Sequence, residues 1–390
     1  MYKIQTFNQI SDKGLLRFPR QEYLVAADVS NADAILVRSH KLGAEHINSN
    51  LKAVARAGAG TNNIPVADFT RQGVVVFNTP GANANAVKEL VVCGLLMAAR
   101  GVLQGVNWVN SIQREYSATE LEQLIEKEKQ HFRGTELAGK TIGVVGLGAI
   151  GARVADVAIQ LGMKVLGYDP AISVDSAWRL ANQVEKQENL TSLISRSDYV
   201  TLHMPALENT KNLIDRKIIN YFKTGAVLLN FSRDTIVDTD ALLEGLNIGR
   251  LASYVTDFPT REILGHPKAI LMPHIGASTD EAEDNCAMMA VDQLREFLEN
   301  GNIRNSVNFP NLALERSAGT NRIAIINQNV PGMLGQILSI LAERDINVID
   351  MLNKSRSDVA YNLIDIEGQP SVETLRDIKS IEHVIKVWSI

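Results

Sequence analysis

A glycine-rich loop is the residue pattern with the clearest chemical meaning in this 390-residue chain. Gly146, Gly148 and Gly151 have the spacing G-x-G-x-x-G, with an apolar stretch before them and a helical stretch after them. Asp169 follows the next apolar stretch. Glycines let the backbone approach a pyrophosphate, and a helix N-terminus offers free N–H groups to it. A carboxylate accepts hydrogen bonds from ribose hydroxyls and repels a 2′-phosphate. The pattern therefore predicts NAD rather than NADP, the alternative being a glycine turn without a nucleotide.

Three further polar residues, Arg233, Glu262 and His274, stand close behind apolar stretches. An arginine fork binds a carboxylate in a bidentate way, which lysine does not reproduce. A histidine takes up a proton near neutral pH, and a neighbouring carboxylate favours its charged form. Taken singly, each residue is more typical of a structural or surface role. Together, in this order behind apolar stretches, they favour a catalytic set in which Arg233 holds a carboxylate, His274 takes a proton and Glu262 tunes that base.

The elements that must position these residues fall into three series. Short apolar stretches alternate with helical ones in the first hundred residues and again after residue 141, which is typical of parallel βαβ units. The last 70 residues read as strand–helix–strand–strand–helix–strand, which indicates a ferredoxin-like unit. The predicted strands are 34–38, 54–58, 74–77, 141–145, 164–168, 199–203, 226–231, 252–257, 269–273, 322–327, 348–353, 360–366 and 384–388.

The fold class predicted is α/β, with two Rossmann-like doubly wound parallel-sheet domains and a C-terminal ferredoxin-like βαββαβ domain. Residues 1–100 and 284–310 are predicted to form a discontinuous substrate-binding domain. Residues 101–283 are predicted to form the NAD-binding domain, and 321–390 a regulatory domain. The mixed polar stretch 310–320 is predicted to be a linker between them.

Composition excludes several classes of function. The net charge is −5, from 39 basic and 44 acidic residues, which disfavours a nucleic-acid partner. No apolar run reaches membrane-spanning length, and no signal peptide is evident at the N-terminus. Cys93 and Cys286 lie in apolar helical stretches without further ligands at metal spacing, so we expect buried free thiols and no metal site. A cytoplasmic protein is expected.

The order of the motifs resembles the D-2-hydroxyacid dehydrogenase family, and within it the branch acting on 3-phospho-D-glycerate. The resemblance covers about residues 35 to 310. The last 70 residues resemble an ACT domain, a small-molecule sensor. The stretches that carry the family resemblance are Arg38-Ser39, RAGAG (56–60), NTP (78–80), FRGTELAGK (132–140), GLGAIG (146–151), HMP (203–205), NFSR (230–233) with Val237-Asp238, DFPTRE (257–262) and PHIGAST (273–279).

The resemblance implies the same three catalytic residues and a wider set of ligand contacts. The family usually has Arg at the position of Ala149 and often Gly at that of Asp234. Arg38 and Arg56 are expected to bind the phosphate end of the substrate, the alternative being that they anchor the domain hinge. The implied cofactor contacts are Ala59, Gly146, Gly148, Ala149, Ile150, Gly151, Asp169, Met204, Phe231, Ser232, Asp257, Gly276 and Ala277, and the implied substrate contacts are Arg38, Ser39, Arg56 and Gly58.

Three functions stay open at this point. The first is NAD-dependent oxidation of 3-phospho-D-glycerate to 3-phosphohydroxypyruvate, at the entry to L-serine synthesis. The second is another D-2-hydroxyacid dehydrogenase, such as a glyoxylate or 2-oxoglutarate reductase. The third is a non-catalytic NAD-sensing protein, which a missing catalytic residue would favour. The resemblance also implies a homodimer or homotetramer and a possible L-serine effector, held by Asn329 and Asn347 with Asn327 at a position usually occupied by His. These asparagines are equally typical of turns.

Overall fold

The computed structural model describes residues 1–112, 116–317 and 319–390. They form two compact units, a first unit of Met1–Asn83 with Thr279–Ile390 and a second unit of Ala84–Ser278. Within the ranges predicted for the NAD-binding domain and the linker, residues 113–115 and 318 lie outside the described residues. The three-domain division stays a prediction.

The N-terminal part of the first unit is a five-stranded parallel sheet with the order β2-β1-β3-β4-β5. This is the flavodoxin-like doubly wound order. Its strands are β1 (Tyr2–Phe7), β2 (Tyr23–Ala26), β3 (Ala34–Val37), β4 (Ala53–Arg56) and β5 (Val75–Phe77), and its helices are α1 (Asp12–Leu15) and α2 (Val66–Arg71).

The second unit is a seven-stranded parallel sheet with the order β12-β11-β10-β9-β6-β7-β8. The strand order reverses between β6 and β9, where open α/β sheets place their ligands. The strands are β6 (Thr141–Val145), β7 (Lys164–Tyr168), β8 (Glu185–Lys186), β9 (Tyr199–Leu202), β10 (Ala226–Asn230), β11 (Leu251–Thr256) and β12 (Ala269–Leu271). The helices are α3 (Ala84–Ala99), α4 (Val102–Ser111), α5 (Ala118–Glu128), α6 (Ala149–Gln160), α7 (Val174–Ala177), α8 (Leu190–Arg196), α9 (Arg216–Ile219) and α10 (Thr239–Asn247).

Helix α3 lies in the second unit because its apolar face completes that core. Val91, Leu95 and Ala99 are buried with residues of α6 and of the central strands. For this reason the unit begins at Ala84, earlier than the predicted domain boundary at residue 100.

The C-terminal part of the first unit is an antiparallel sheet with the order β14-β15-β13-β16. This order confirms the predicted ferredoxin-like βαββαβ unit. Its elements follow the long helix α11 (Asp280–Asn300) and are β13 (Asn321–Gln328), α12 (Met333–Glu343), β14 (Val348–Arg356), β15 (Val359–Ile366), α13 (Val372–Ser380) and β16 (Val384–Ser389).

The central strands β13 and β15 of the antiparallel sheet are buried on both faces, and strand β13 shows why. Ile323 and Ile325 pack with the apolar residues of α12 and α13. Ala324 and Ile326, which alternate with them, belong to one apolar core with α11 and the N-terminal sheet. The stretch predicted as a linker takes part as well, since Leu312 is buried in that core. The C-terminal part is thus packed into the first unit rather than tethered to it.

Candidate active site

The glycine loop joins β6 to α6, and the surroundings of its three glycines differ. Gly146 has φ +91°, and a Cβ would lie 2.6 Å from the His203 carbonyl oxygen. A Cβ on Gly151 would lie 1.9 Å from the Gly146 oxygen. Gly148, which caps α6, has nothing within 4 Å of a Cβ position. The two outer glycines make the turn possible, and the middle one leaves open space before the helix N-terminus.

Asp169 ties the end of β7 to this loop. Its Oδ2 accepts a hydrogen bond from the Leu147 N–H at 2.9 Å, and its Oδ1 accepts one from the Ala171 N–H at 2.9 Å. The side chain is half-buried. A carboxylate held at this loop fits the ribose hydroxyls of NAD, and an open helix N-terminus fits its pyrophosphate.

Asp257, just after β11, connects several parts of the site. Its backbone oxygen accepts a hydrogen bond from the His274 N–H at 2.8 Å, and its Oδ2 accepts one from the Gly276 N–H at 3.0 Å. Its Oδ1 is buried without a hydrogen-bond partner among the described residues. Burial raises the pKa of this carboxyl. A buried acceptor without a donor fits the amide N–H of a nicotinamide.

His274 has an unusual backbone conformation. Its φ is +35°, in the left-handed region that few residues other than glycine adopt. The hydrogen bonds from its N–H to the carbonyls of Asp257 and Met272 hold it there. Its ring is exposed to solvent. Strained backbone of this kind is typical of functional sites.

Arg233 follows β10 and meets the same aromatic ring as His274. Its Nη1 donates a hydrogen bond to the Ser232 oxygen at 2.5 Å. Its guanidinium carbon lies 5.2 Å from the ring centroid of Phe258, and the His274 ring lies 4.4 Å from that centroid. The structure therefore brings the predicted cation and the predicted base to one site.

Glu262 stands apart from this arrangement. It lies exposed in a 3₁₀ turn, Arg261–Ile263. In the described part of the chain, its carboxylate has no ion pair with His274 or with any other residue. Asp234 likewise forms no ion pair with Arg233 there. The role predicted for Glu262 stays a prediction.

The other predicted cofactor residues differ in burial and in which of their atoms are free to contact a ligand. The Phe231 side chain is buried in the core against Gly94, so its backbone is the part left for a ligand. The Ser232 hydroxyl donates a hydrogen bond to the Leu202 oxygen at 2.7 Å. Exposed positions are Gly148, Ala149 and, in the first unit, Ala59; Ile150, Met204 and Ala277 are half-buried.

The predicted substrate residues lie in the first unit, at the carboxyl ends of β3 and β4. The Arg38 guanidinium forms an ion pair with Glu283 of α11. Arg56 donates from Nε to the Arg38 oxygen at 3.0 Å and from Nη1 to the Gly60 oxygen. A Cβ on Gly58 would lie 3.3 Å from the Arg56 guanidinium, so glycine gives that group its room. The Ser39 N–H donates to the Asn8 side chain.

The three predicted effector residues occupy different places in the antiparallel sheet. Asn327 is 2% exposed, and its side chain bonds to Gln328 and Asn362. Asn329 and Asn347 are exposed. They flank opposite ends of the sheet, since Gln328 pairs with Val359 and Val348 pairs with Ile366. The two ends of strand β15, beside which Asn329 and Asn347 lie, are about 25 Å apart, because β15 has eight residues. Within one chain, Asn329 and Asn347 do not share one small ligand.

Comparisons with known proteins agree with this geometry. Residues 94–276 match the family model described as D-isomer specific 2-hydroxyacid dehydrogenase, NAD binding domain. The chain is 32% identical to the D-3-phosphoglycerate dehydrogenase of Dictyostelium discoideum over 373 residues, which are 92% of this chain and 86% of the relative. The chain belongs to the D-isomer specific 2-hydroxyacid dehydrogenase family. The matched model is an NAD-binding domain, and the cofactor of this dehydrogenase is NAD.

Two further relatives of the dehydrogenase support the assignment. The D-3-phosphoglycerate dehydrogenase of Escherichia coli K12 is 31% identical over 341 residues, or 84% of this chain and 78% of the relative. The crystal structure of NAD⁺-bound 3-phosphoglycerate dehydrogenase from Entamoeba histolytica has a TM-score of 0.62 and 26% identity. It covers 79% of this chain and 98% of that chain. These matches confirm the predicted family, the Rossmann-like fold and the NAD-dependent dehydrogenase class.

Two residues of the site were missed by the sequence prediction. Phe258 lies in the DFPTRE stretch but was given no role of its own, because an aromatic residue after a strand is usually part of a core. Glu283 was not singled out from the sequence, although it is acidic and lies in the first turn of α11. Its ion pair with Arg38 joins positions too distant in sequence for spacing to reveal.

A search of the described part of the chain finds no helix long and apolar enough to cross a membrane.

Proposed function

We propose that the chain oxidises 3-phospho-D-glycerate to 3-phosphohydroxypyruvate with NAD, the first step of L-serine synthesis. The observation that carries the proposal is the extent of the match to the Dictyostelium enzyme. It takes in 92% of this chain and so is not confined to the NAD-binding domain. Arg38 and Arg56 add two guanidinium groups suited to a phosphate.

The residues of the second unit have distinct roles in this reaction. The glycine loop and Asp169 would hold NAD, which would supply the acceptor for the hydride from C2 of the substrate. Arg233 binds the carboxylate and polarises the forming carbonyl. His274 takes the hydroxyl proton, and the Asp257 carbonyl holds its backbone in place. Glu262 stabilises the imidazolium once substrate is bound, because catalytic contacts often tighten only in the complex.

Arg38 is the residue to test for phosphate recognition. Arg38→Ala should raise KM for 3-phospho-D-glycerate by about 10-fold or more, since a charge-assisted contact contributes on the order of 1.5–3 kcal/mol. KM for an unphosphorylated 2-hydroxy acid such as D-glycerate should change little. Steady-state NADH formation with both acids measures this, with Arg71→Ala as the exposed control. Equal effects on the two acids would show that Arg38 does not bind the phosphate.

The Arg38–Glu283 ion pair favours a second candidate, a dehydrogenase for an unphosphorylated 2-hydroxy acid. A carboxylate beside Arg38 competes with an incoming phosphate for the same guanidinium. Glu283→Gln distinguishes the two functions. On the leading proposal, KM for 3-phospho-D-glycerate falls in this variant. The second candidate is supported if KM for 3-phospho-D-glycerate is the same in Glu283→Gln as in the wild type and the wild type turns over an unphosphorylated acid better.

We propose L-serine, the end product of that route, as an effector of the C-terminal part. Asn329 and Asn347 carry exposed amide groups, and their separation in one chain requires one asparagine from each of two paired chains. Asn347→Ala should abolish serine inhibition and leave turnover without serine unchanged. Serine titration of the intact wild type, of Asn347→Ala and of the control Gln369→Ala measures this. Equal inhibition of all three would place serine at the active site instead.

We also propose that the enzyme is a cytoplasmic homodimer or homotetramer. Both cysteines are free thiols, which suits a reducing compartment; Cys286 is buried as expected, whereas Cys93 is exposed. Helix α4 has no buried residue and exposes Val102, Val106 and Val109 at helical spacing. An apolar stripe of this kind is typical of a contact with a second chain. Light scattering of the intact protein measures its mass, and a monomer would contradict the proposal.

A further inference from the structure

Within residues 1–112, 116–317 and 319–390, Phe258 is the aromatic side chain that contacts both Arg233 and His274. The guanidinium carbon of Arg233 lies 5.2 Å from its ring centroid, within the range of a cation–π contact. The His274 ring lies 4.4 Å from the same centroid, tilted by 44°. Phe258 follows Asp257, whose carbonyl already holds the His274 backbone. One short stretch of chain therefore contacts the base through both its backbone and its ring.

We propose that Phe258 is a positioning residue, which sets the guanidinium of Arg233 and the imidazole of His274 in their reactive arrangement. The inference rests on the proposed roles of Arg233 and His274 but not on the identity of the substrate. The face of an aromatic ring attracts a cation. It holds the Arg233 guanidinium in the bound enzyme, and it accommodates the imidazolium that forms when His274 takes the hydroxyl proton.

Among the residues that the structure describes, no ion pair holds the side chain of Arg233 or of His274 in position. Glu262 has no described partner, and Arg233 forms no ion pair with Asp234. The acidic group that interacts electrostatically with both Arg233 and His274 is Asp257, whose Oδ2 already accepts the Gly276 N–H. Both the Arg233 and the His274 side chains are exposed, so packing of other residues does not fix them. The ring of Phe258, half-buried, is the rigid surface available to both.

The substitution Phe258→Leu tests the inference, with Phe258→Tyr as the matched control. Leucine keeps an apolar side chain at this half-buried position but lacks the aromatic face, whereas tyrosine keeps the face. We expect Phe258→Leu to lower kcat by about 10-fold, because small misplacements of reacting groups are costly. KM should rise by about 2- to 5-fold from loss of the cation–π contact. Phe258→Tyr should have the kcat and the KM of the wild type.

The assay follows NADH formation with whichever 2-hydroxy acid the wild type turns over best, so it does not depend on the phosphate. NAD affinity, measured by calorimetry, should be the same in all three proteins, which shows that the unit is folded. In a His274→Asn background, the effect of Phe258→Leu on kcat should be smaller than 10-fold, because only the part that acts through Arg233 remains and residues that act through one group are not additive.

Two outcomes would overturn the inference. One is a kcat for Phe258→Leu equal to that of the wild type. The other is an undiminished 10-fold effect in the His274→Asn background, which would mean that Phe258 acts independently of the base. A wild type that prefers an unphosphorylated acid would overturn the proposed substrate alone.

Discussion

His274→Asn is expected to lower kcat by about 10²- to 10⁴-fold, the usual contribution of a general base. Asparagine keeps a polar side chain of similar reach and tolerates the positive φ of this position. The hydrogen bond from the backbone N–H to the Asp257 oxygen is unaffected by the change. The loss therefore reports on the imidazole itself. Steady-state and single-turnover NADH formation measure it.

NAD affinity separates loss of the base from loss of the fold in that variant. We expect NAD to bind His274→Asn with nearly wild-type affinity, because the glycine loop and Asp169 are distant in sequence and keep their own hydrogen bonds. His131→Asn, an exposed histidine of the same unit, is the control and should turn over normally. Near-normal turnover of His274→Asn would remove the residue from the mechanism.

Arg322→Ala is expected to destabilise the first unit by about 3–5 kcal/mol, as removal of one partner from a buried ion pair does. The Arg322 and Asp365 side chains are 0% and 1% exposed and make a bidentate pair, with N–O distances of 2.6 and 2.8 Å. Nη1 also donates to the oxygens of Asn300 and Leu314. Alanine leaves a buried carboxylate and two carbonyls without these donors. Urea unfolding measures the change.

Arg344→Ala is the matched control for this experiment. The Arg344–Asp377 pair is about a third exposed or more on each side, so its loss should cost below about 1 kcal/mol. The double variant Arg322→Met/Asp365→Leu should recover much of the lost stability, because it removes both buried charges. A loss for Arg322→Ala no larger than that of Arg344→Ala would contradict the structural role given to the pair.

The parallel sheets were predictable because short apolar stretches that alternate with helical stretches are typical of parallel βαβ units. Strands β6 and β7 have the predicted bounds, 141–145 and 164–168. Strands β1 and β2 were missed, since Tyr2–Phe7 mixes polar and apolar residues and only Ile4 among them is fully buried. Packing of the C-terminal sheet into the first unit was not predictable either. It depends on the apolar core that Ala324 and Ile326 share with α11 and the N-terminal sheet, and these residues are far apart along the chain.

The candidate site was predictable to the level of residue types but not of contacts. Arg233, His274 and Asp257 follow strands whose carboxyl ends lie at one edge of the sheet, so their proximity was expected. The partner of His274 was expected to be Glu262, whereas the group that touches its ring is Phe258. Spacing along a chain does not specify rotamers, and a ring contact of this kind depends on them.

The most direct test of the proposed reaction follows the hydride itself. The intact enzyme is incubated with NAD and 3-phospho-D-glycerate that carries deuterium at C2, and the NADH is analysed by mass spectrometry. We predict NADH that has gained one deuterium, together with 3-phosphohydroxypyruvate in equal amount. NADH without deuterium, or no NADH from this acid while another 2-hydroxy acid is oxidised, would contradict the account.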